Sequence, residues 1–154
     1  MKAVTSYTVV IPAAGIGSRM QASIPKQYLC IAGKTVIEHS ISILLSHPRI
    51  NKVIVALHPN DEYFSKLDCA NNPKVLTCQG GEERVDSVLK GLRACVLANS
   101  VNESDWILVH DAARPCISHN EIDALLGIRE HSAGGILATP VSDTLKLAGD
   151  STSG

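Results

Sequence analysis

The sequence has few aromatic residues, almost no net charge and no closely spaced pair of cysteines. Aromatic side chains make up 3% of the 154 residues, and the formal net charge is -1 at pH 7. Binding single-stranded nucleic acid by stacking needs several exposed rings, and general attraction to nucleic acid or anionic lipid needs an excess of positive charge. The composition therefore argues against both kinds of partner, and any basic site must be local.

The cysteines are odd in number and none forms a C-x-x-C pair, so they indicate neither a disulfide framework nor a zinc site. Free thiols are typical of a reducing compartment. The amino terminus lacks the apolar core of a signal peptide, and no later apolar run is long enough to span a bilayer. We therefore expect a cytoplasmic protein without a membrane partner. The five cysteines are Cys30, Cys69, Cys78, Cys95 and Cys116.

Apolar and charged residues, 45% and 19% of the chain, have the balance of an ordinary globular domain. Short apolar runs predict strands at 8–12, 53–57, 74–78, 106–110 and 136–141. Helical periodicity separates them, beginning near Thr35, Glu82 and Ser118. Strands that alternate with helices predict an α/β fold in three layers, with a mostly parallel sheet covered on both faces.

Two of the predicted helices have distinctive features. Ser118 with Glu121 forms a capping box, and Gly134 and Gly135 are expected to end the helix that begins there. The helix that begins near Glu82 has a predicted buried face in which apolar residues recur at helical spacing. Its members are Val85, Val88, Leu89, Leu92 and Val96.

The first predicted strand leads into a loop of small residues and then into two cations. Small residues let a ligand approach the backbone closely, and a strand followed by bare backbone and basic side chains favours a polyphosphate site. The small residues are Ala13, Ala14, Gly15 and Gly17, and the cations are Arg19 and Lys26.

Two better-known phosphate motifs do not match this stretch. Met20 stands where a dinucleotide fingerprint needs its third glycine, and Lys26 is followed by Gln27 where a P-loop needs serine or threonine. The alternative is a turn that only lets the strand end near a helix, with both cations as solvated surface charges.

Two further loops follow predicted strands, QGGEER at 79–84 and HDAARP at 110–115. Because ligands bind beyond the carboxyl ends of parallel strands, we expect these loops to converge with the first. Asp111 suits a Mg²⁺ ion that bridges phosphate oxygens, and the alternative is a helix cap or an ion pair with Arg114. We interpret His110 as a packed or hydrogen-bonded residue.

The loop after the third predicted strand could bind a flat base. Gly80 and Gly81 permit close approach, and Arg84 and Ser87 are expected on the exposed start of the following helix. The Ser87 hydroxyl can both donate to and accept from a pyrimidine edge. Any helix start can have this composition, which is the alternative.

The motifs PAAGIGSRM, PKQYL, GGEERVDSV, VHDAARP and TPVSDTLK occur in this order between Thr8 and Lys146. Together they resemble the 2-C-methyl-D-erythritol 4-phosphate cytidylyltransferases of isoprenoid biosynthesis. The resemblance implies a Rossmann-like nucleotidyltransferase fold, Mg²⁺, a homodimer and two substrates, CTP and methylerythritol phosphate. The implied reaction transfers CMP from CTP to the acceptor phosphate and releases pyrophosphate.

The resemblance also implies a role for each matching position. The CTP phosphates would be lined by four small residues, Ala13, Ala14, Gly15 and Gly17, and the catalytic cations would be Arg19 and Lys26. The cytosine would be bound by Gly81, Glu82 and Ser87. Asp111 would bind the metal, and Arg114 and Thr144 would bind the acceptor.

The sequence departs from the family pattern at its end, because the family's chains continue beyond residue 154. We expect residues 1–141 to form the nucleotide-binding domain, incomplete at its C-terminal end, and residues 142–154 to begin an extended arm for dimerisation. Two alternatives stay open: a related polyol-phosphate or sugar-phosphate nucleotidyltransferase, and a non-catalytic fragment that binds CTP or dimerises.

Overall fold

The computed structural model describes residues 6–15, 24–98, 101–102, 105–128 and 133–140. Within them lie six strands and three α-helices. The strands are β1 (Tyr7–Ala13), β2 (Cys30–Ile31), β3 (Lys34–Thr35), β4 (Ile50–Leu57), β5 (Val75–Gln79) and β6 (Ile107–Val109). The helices are α1 (Val36–Leu45), α2 (Arg84–Leu97) and α3 (His119–Gly127).

The main sheet has four strands in the order β5-β4-β1-β6, and every neighbouring pair is parallel. β1 is central, with Val9, Val10 and Ile11 fully buried, as expected for a parallel strand covered on both faces. The first four predicted strands are therefore confirmed, with boundaries that shift by one to three residues.

Successive residues of β1 point to opposite layers, which defines the three-layer arrangement. Val9 and Ile11 join the core cluster of α1 and α3, whereas Val10 joins Ile54 and Cys95 on the side of α2. The predicted capping box of Ser118 with Glu121 is present, and Thr35 forms another with Glu38 that was not predicted. The sheet and its covering helices confirm the α/β fold class.

The predicted buried face of α2 is wrong at three of its five residues. Val85, Leu89 and Val96 are 66%, 46% and 43% exposed, whereas Val88 and Leu92 are half-buried and Leu92 packs against the core cluster of Val10. The residues that α2 buries fully are Ser87, Gly91 and Cys95. A Cβ atom at Gly91 would lie 2.4 Å from Val10 Cγ1, so glycine is what lets α2 approach β1 this closely. Small residues spaced by four therefore form the centre of the contact.

The C-terminal predictions also differ from the structure. α3 ends at Gly127, before the predicted stop at Gly134, consistent with the poor helix propensity of glycine. Residues 136–140 form no strand; Ile136 is 85% exposed, and Pro140 has no N–H to donate to a ladder. Val141 and the predicted arm at 142–154 lie outside the described residues.

A short hairpin of β2 and β3 was not predicted. Its turn places Ala32 and Gly33 at positive φ, 50° and 82°, which two-residue hairpin turns require. Among the described residues, no helix has the length and apolar character needed to cross a membrane.

Candidate functional site

A cleft of about 620 Å³ lies at the carboxyl ends of β1 and β6, where three loops and the start of α2 meet. This volume is in the usual range of small-molecule sites. The three loops predicted to converge therefore do so. The lining residues are Pro12, Ala13, Ala14, Gly15, Lys26, Gln27, Glu82, Glu83, Arg84, Ser87, Asp111, Ala112, Ala113 and Arg114.

Gln27 fixes the first loop from behind. Its side chain is 3% exposed, and Nε2 donates hydrogen bonds to the carbonyl oxygens of Ala13, at 3.0 Å, and Gly15, at 3.1 Å. Among the described residues, no heavy atom lies within 4 Å of a Cβ built on Gly15, and this residue is exposed. Gly17 and Arg19, predicted to extend the same loop, lie outside the described residues.

Lys26 is exposed at the rim of the cleft, on a short 3-10 turn that spans Lys26–Tyr28. Two buried neighbours anchor this turn, Gln27 and Tyr28. The Tyr28 hydroxyl donates to Asp61 Oδ2 at 2.5 Å, and its ring stacks on Tyr63. Burial, and then the hydrogen bond to Asp61, raises the pKa of Tyr28 far above its usual range. The turn is therefore rigidly attached while the lysine ammonium can reach a ligand.

The second loop packs directly against the first. A Cβ on Gly80 would lie 2.5 Å from Ala14 Cβ and 3.0 Å from Ser87 Oγ, so only glycine fits here without a shift. The Gly81 N–H donates to Ser87 Oγ at 3.0 Å, and Lys90 Nζ donates to the Gly80 carbonyl oxygen at 2.7 Å. Side chains from α2 therefore fix the position of this loop.

The structure corrects the placement of Ser87. We expected it on the exposed start of the helix, but it is 2% exposed because it belongs to the seam that α2 buries. Its hydroxyl is still at the cleft wall and already bonded to Gly81. Arg84, the other residue expected on that surface, is exposed as predicted, with 62% of its side chain accessible.

Asp111 in the third loop lies between two arginines. Its Oδ1 accepts a hydrogen bond from Arg84 Nε at 2.9 Å and forms an ion pair with Arg84 Nη2 at 2.8 Å, and its Oδ2 forms an ion pair with Arg114 Nε at 3.0 Å. The ion pair with Arg114 is the alternative that the sequence left open. Partial burial alone would raise the pKa of Asp111, but the hydrogen bond and charge of Arg84, with the charges of Arg114 and His110, lower it overall.

Asp111 fits Mg²⁺ as one ligand among several. Mg²⁺ in phosphate-transfer sites usually takes one or two carboxylates and completes its shell with substrate phosphates and waters. Within the described part of the chain, no group of three or more metal-ligating side chains converges on one point. An all-protein metal cage is therefore not formed by these residues. His110 Nε2–H donates to the Arg114 carbonyl oxygen at 2.9 Å, as expected for a hydrogen-bonded residue.

A second cavity of about 900 Å³ lies between β6, α3 and residues 133–137. Its lining is mainly apolar, with Trp106, Leu108 and Ile122 among its walls. It shares Arg84, Asp111 and Arg114 with the cleft. This group of three charged side chains therefore stands between the two cavities.

Sequence reasoning missed Gln27, Lys90 and the pairing of Arg84 with Asp111. Nothing in the spacing of Gln27 distinguishes it from a surface glutamine, and Arg84 and Asp111 are 27 residues apart. Of the other predicted site residues, Ala13, Ala14, Lys26, Glu82 and Arg114 line the cleft. Thr144 lies outside the described residues.

The chain matches the family model described as 2-C-methyl-D-erythritol 4-phosphate cytidylyltransferase (IspD) over residues 7–153. The protein of that name from Vibrio vulnificus strain YJ016 is 53% identical over 148 residues, which are 96% of this chain and 62% of the relative. The one from Pseudoalteromonas atlantica is 53% identical over 146 residues, or 94% and 61% of the two chains.

Solved structures give the same result. A structure described as 4-diphosphocytidyl-2C-methyl-D-erythritol synthase superposes with a TM-score of 0.80 at 36% identity, over 94% of this chain and 64% of that one. The Francisella tularensis cytidylyltransferase superposes with a TM-score of 0.69 at 35% identity, over 95% and 63%. The chain thus spans about three fifths of the length of these relatives. It belongs to the 2-C-methyl-D-erythritol 4-phosphate cytidylyltransferase (IspD) family.

Proposed function

We propose that the cleft binds CTP and that the whole protein transfers CMP from CTP to 2-C-methyl-D-erythritol 4-phosphate. The products are 4-diphosphocytidyl-2-C-methyl-D-erythritol and pyrophosphate. The observation that carries the proposal is the meeting of the loops after β1, β5 and β6 around one cleft, with Lys26, Arg84 and Arg114 at its rim. Family membership supplies the substrates, because the matching relatives are named for this activity.

The two strongest features of the cleft suit a nucleoside triphosphate. Gly15 is exposed in the cleft lining, so its backbone is open where the phosphates would approach. Glu82 and Ser87 line the part of the cleft where we propose that the cytosine ring binds, beside the loop at Gly80 and Gly81 that Ser87 holds in place. The proposed ligand residues are Ala13, Ala14, Gly15, Gly17, Gly81, Glu82 and Ser87.

The reaction needs positioning and charge neutralisation rather than a protein nucleophile. A phosphate oxygen of the acceptor attacks the α-phosphorus of CTP in line, and the bond to the β-phosphate oxygen breaks as pyrophosphate leaves. Arg19 and Lys26 would neutralise the charge that develops on the phosphate oxygens. Arg114 and Thr144 would hold the acceptor phosphate, and Arg114 also lines the second cavity.

Asp111 would be the protein ligand of Mg²⁺, which supplies charge neutralisation between phosphate groups when it is bound. We further propose that the protein is cytoplasmic and acts as a homodimer through the segment that begins at 142–154. The location is an expectation from the cysteine content and the amino-terminal sequence, and the dimer is one from the family resemblance. A mass measurement in solution tests the dimer.

Binding and turnover are tested separately on this chain. Isothermal titration should detect CTP with Mg²⁺ and a much weaker response to UTP, and a coupled assay should detect pyrophosphate only when methylerythritol phosphate is added. CTP binding without pyrophosphate release would support the fragment hypothesis over turnover. No binding of CTP at millimolar concentration would refute the proposed function of the cleft.

A further inference from the structure

Each carboxylate oxygen of Asp111 is in contact with an arginine. Oδ1 accepts a hydrogen bond from Arg84 Nε and lies 2.8 Å from Arg84 Nη2, and Oδ2 forms an ion pair with Arg114 Nε at 3.0 Å. A divalent cation binds through oxygen lone pairs and is repelled by nearby positive charge. In this arrangement, two guanidinium groups occupy the position that a metal ion at Asp111 would take.

Arg84 and Arg114 reach Asp111 from different parts of the chain. Their side chains are 62% and 76% exposed and both line the cleft, so either can move without a change in the apolar core. The Arg114 pairing is local, three residues from Asp111 in the same loop, whereas Arg84 comes from the start of α2, 27 residues away. A ligand in the cleft can therefore separate Arg84 from Asp111 without disturbing the loop that carries the carboxylate.

A triphosphate is the kind of ligand that can draw Arg84 away. Guanidinium groups match phosphate oxygens as well as carboxylates, with similar charge-assisted hydrogen bonds. A polyphosphate in the cleft offers Arg84 several such oxygens. Its phosphate oxygens also complete the ligand set of a divalent cation bound at Asp111.

We propose that Arg84 is a positioning residue that occupies Asp111 in the free protein and so makes divalent-metal binding at this carboxylate conditional on a polyphosphate in the cleft. This inference rests on the proposed nucleotide site and adds an order of events to it. The nucleotide and the metal enter together, and the cleft does not hold the metal beforehand.

The test measures Mn²⁺ alone, by electron paramagnetic resonance of the free ion, without any nucleotide. The Arg84→Met variant should bind Mn²⁺ about tenfold more tightly than the native chain, because the substitution removes one positive charge and the hydrogen bond to Oδ1. The matched control is Arg93→Met, which removes an exposed arginine from the same helix outside the cleft lining. It should leave the Mn²⁺ affinity within twofold of the native value.

A second background shows whether Arg84 acts through Asp111. In Asp111→Asn, the Arg84→Met change should leave Mn²⁺ affinity unaltered, since the carboxylate that Arg84 covers is gone. An equal gain in both backgrounds would mean that Arg84 acts only through its general charge, and it would overturn the proposal. So would an unchanged affinity in Arg84→Met alone, which is what a purely structural ion pair predicts.

The same proteins are then titrated with CTP and Mn²⁺ together. If native protein shows the predicted Mn²⁺ behaviour and binds no CTP, the proposed function fails while the masking of Asp111 by Arg84 stands. If native protein binds CTP and Arg84→Met gains no Mn²⁺ affinity, the proposed function stands and the inference fails.

Discussion

Replacing Gln27 with methionine should weaken CTP binding without unfolding the protein. The side chain is 3% exposed and donates two hydrogen bonds, of 3.0 and 3.1 Å, to the carbonyl oxygens of Ala13 and Gly15. Each bond contributes about 1 kcal/mol net, so their loss costs about 2 kcal/mol. If all of it appears in nucleotide binding, affinity falls roughly 30-fold; if all of it appears in stability, Tm falls by about 4–8 °C.

Titration calorimetry with CTP and thermal unfolding together divide this loss between binding and stability. The control Asn60→Met removes an exposed amide from the turn after β4 and should change neither quantity. A Gln27→Met protein that kept native CTP affinity within twofold and native Tm within about 1 °C would refute the reasoning. The Gln27→Glu variant tests the same hydrogen bonds through pH. The new carboxylate would face two carbonyl oxygens and could donate to neither. The loss of CTP affinity should therefore be larger at pH 8 than at pH 5, where protonation of the carboxyl group restores one donor.

Three further predictions concern other parts of the chain. Lys26→Ala should keep the native circular dichroism spectrum and lower the rate of pyrophosphate release about 100-fold. The control Lys34→Ala, at an exposed position on β3, should keep both the spectrum and the rate; equal rates in the two variants would exclude Lys26 from the mechanism. Gly80→Ala should weaken CTP binding because its Cβ would meet Ala14, while Gly127→Ala, whose Cβ would meet no described atom within 4 Å, should be neutral or stabilising. Thiol labelling at pH 7.5 should be fast at the exposed Cys30 and Cys116 and slow at Cys69 and Cys95. Burial raises the pKa of the last two thiols to about 11, so little thiolate is present at the pH of the assay. A single fast phase for all four would contradict this prediction.

The strands of the main sheet could be predicted because parallel strands buried on both faces are continuous apolar runs. The run around Val9 to Ile11 and the one around Val53 to Val55 are of this kind, and both became central strands. The capping box at Ser118 could also be predicted, since its signal spans only four residues.

The buried face of α2 could not be predicted from apolar periodicity. Val85 and Leu89 have the right spacing for a core face, but the close approach at Gly91 decides which side of the helix meets β1. This close approach depends on which residue of β1 lies opposite Gly91 in the folded protein, and the local sequence of the helix does not show it. The same orientation of the helix buries Ser87.

The convergence of three loops could be predicted from topology, but the contacts within the cleft could not. Strand order places loop ends at one edge of the sheet, which was enough to bring Asp111 near Gly15. Which side chain then covers Asp111 depends on rotamers of Arg84 and Arg114. The role of Gln27 in holding the first loop could not be predicted, because its hydrogen-bond partners are backbone carbonyl oxygens of another segment.

The most direct test of the account is a titration of ¹⁵N-labelled protein with CTP and Mg²⁺, followed by amide chemical shifts. The account predicts that the largest shifts fall on Ala14, Gly15, Gly81 and Asp111, which belong to three loops separated in sequence. Shifts concentrated instead in the second cavity, around Trp106 and Ile122, or no shifts at millimolar CTP, would contradict it.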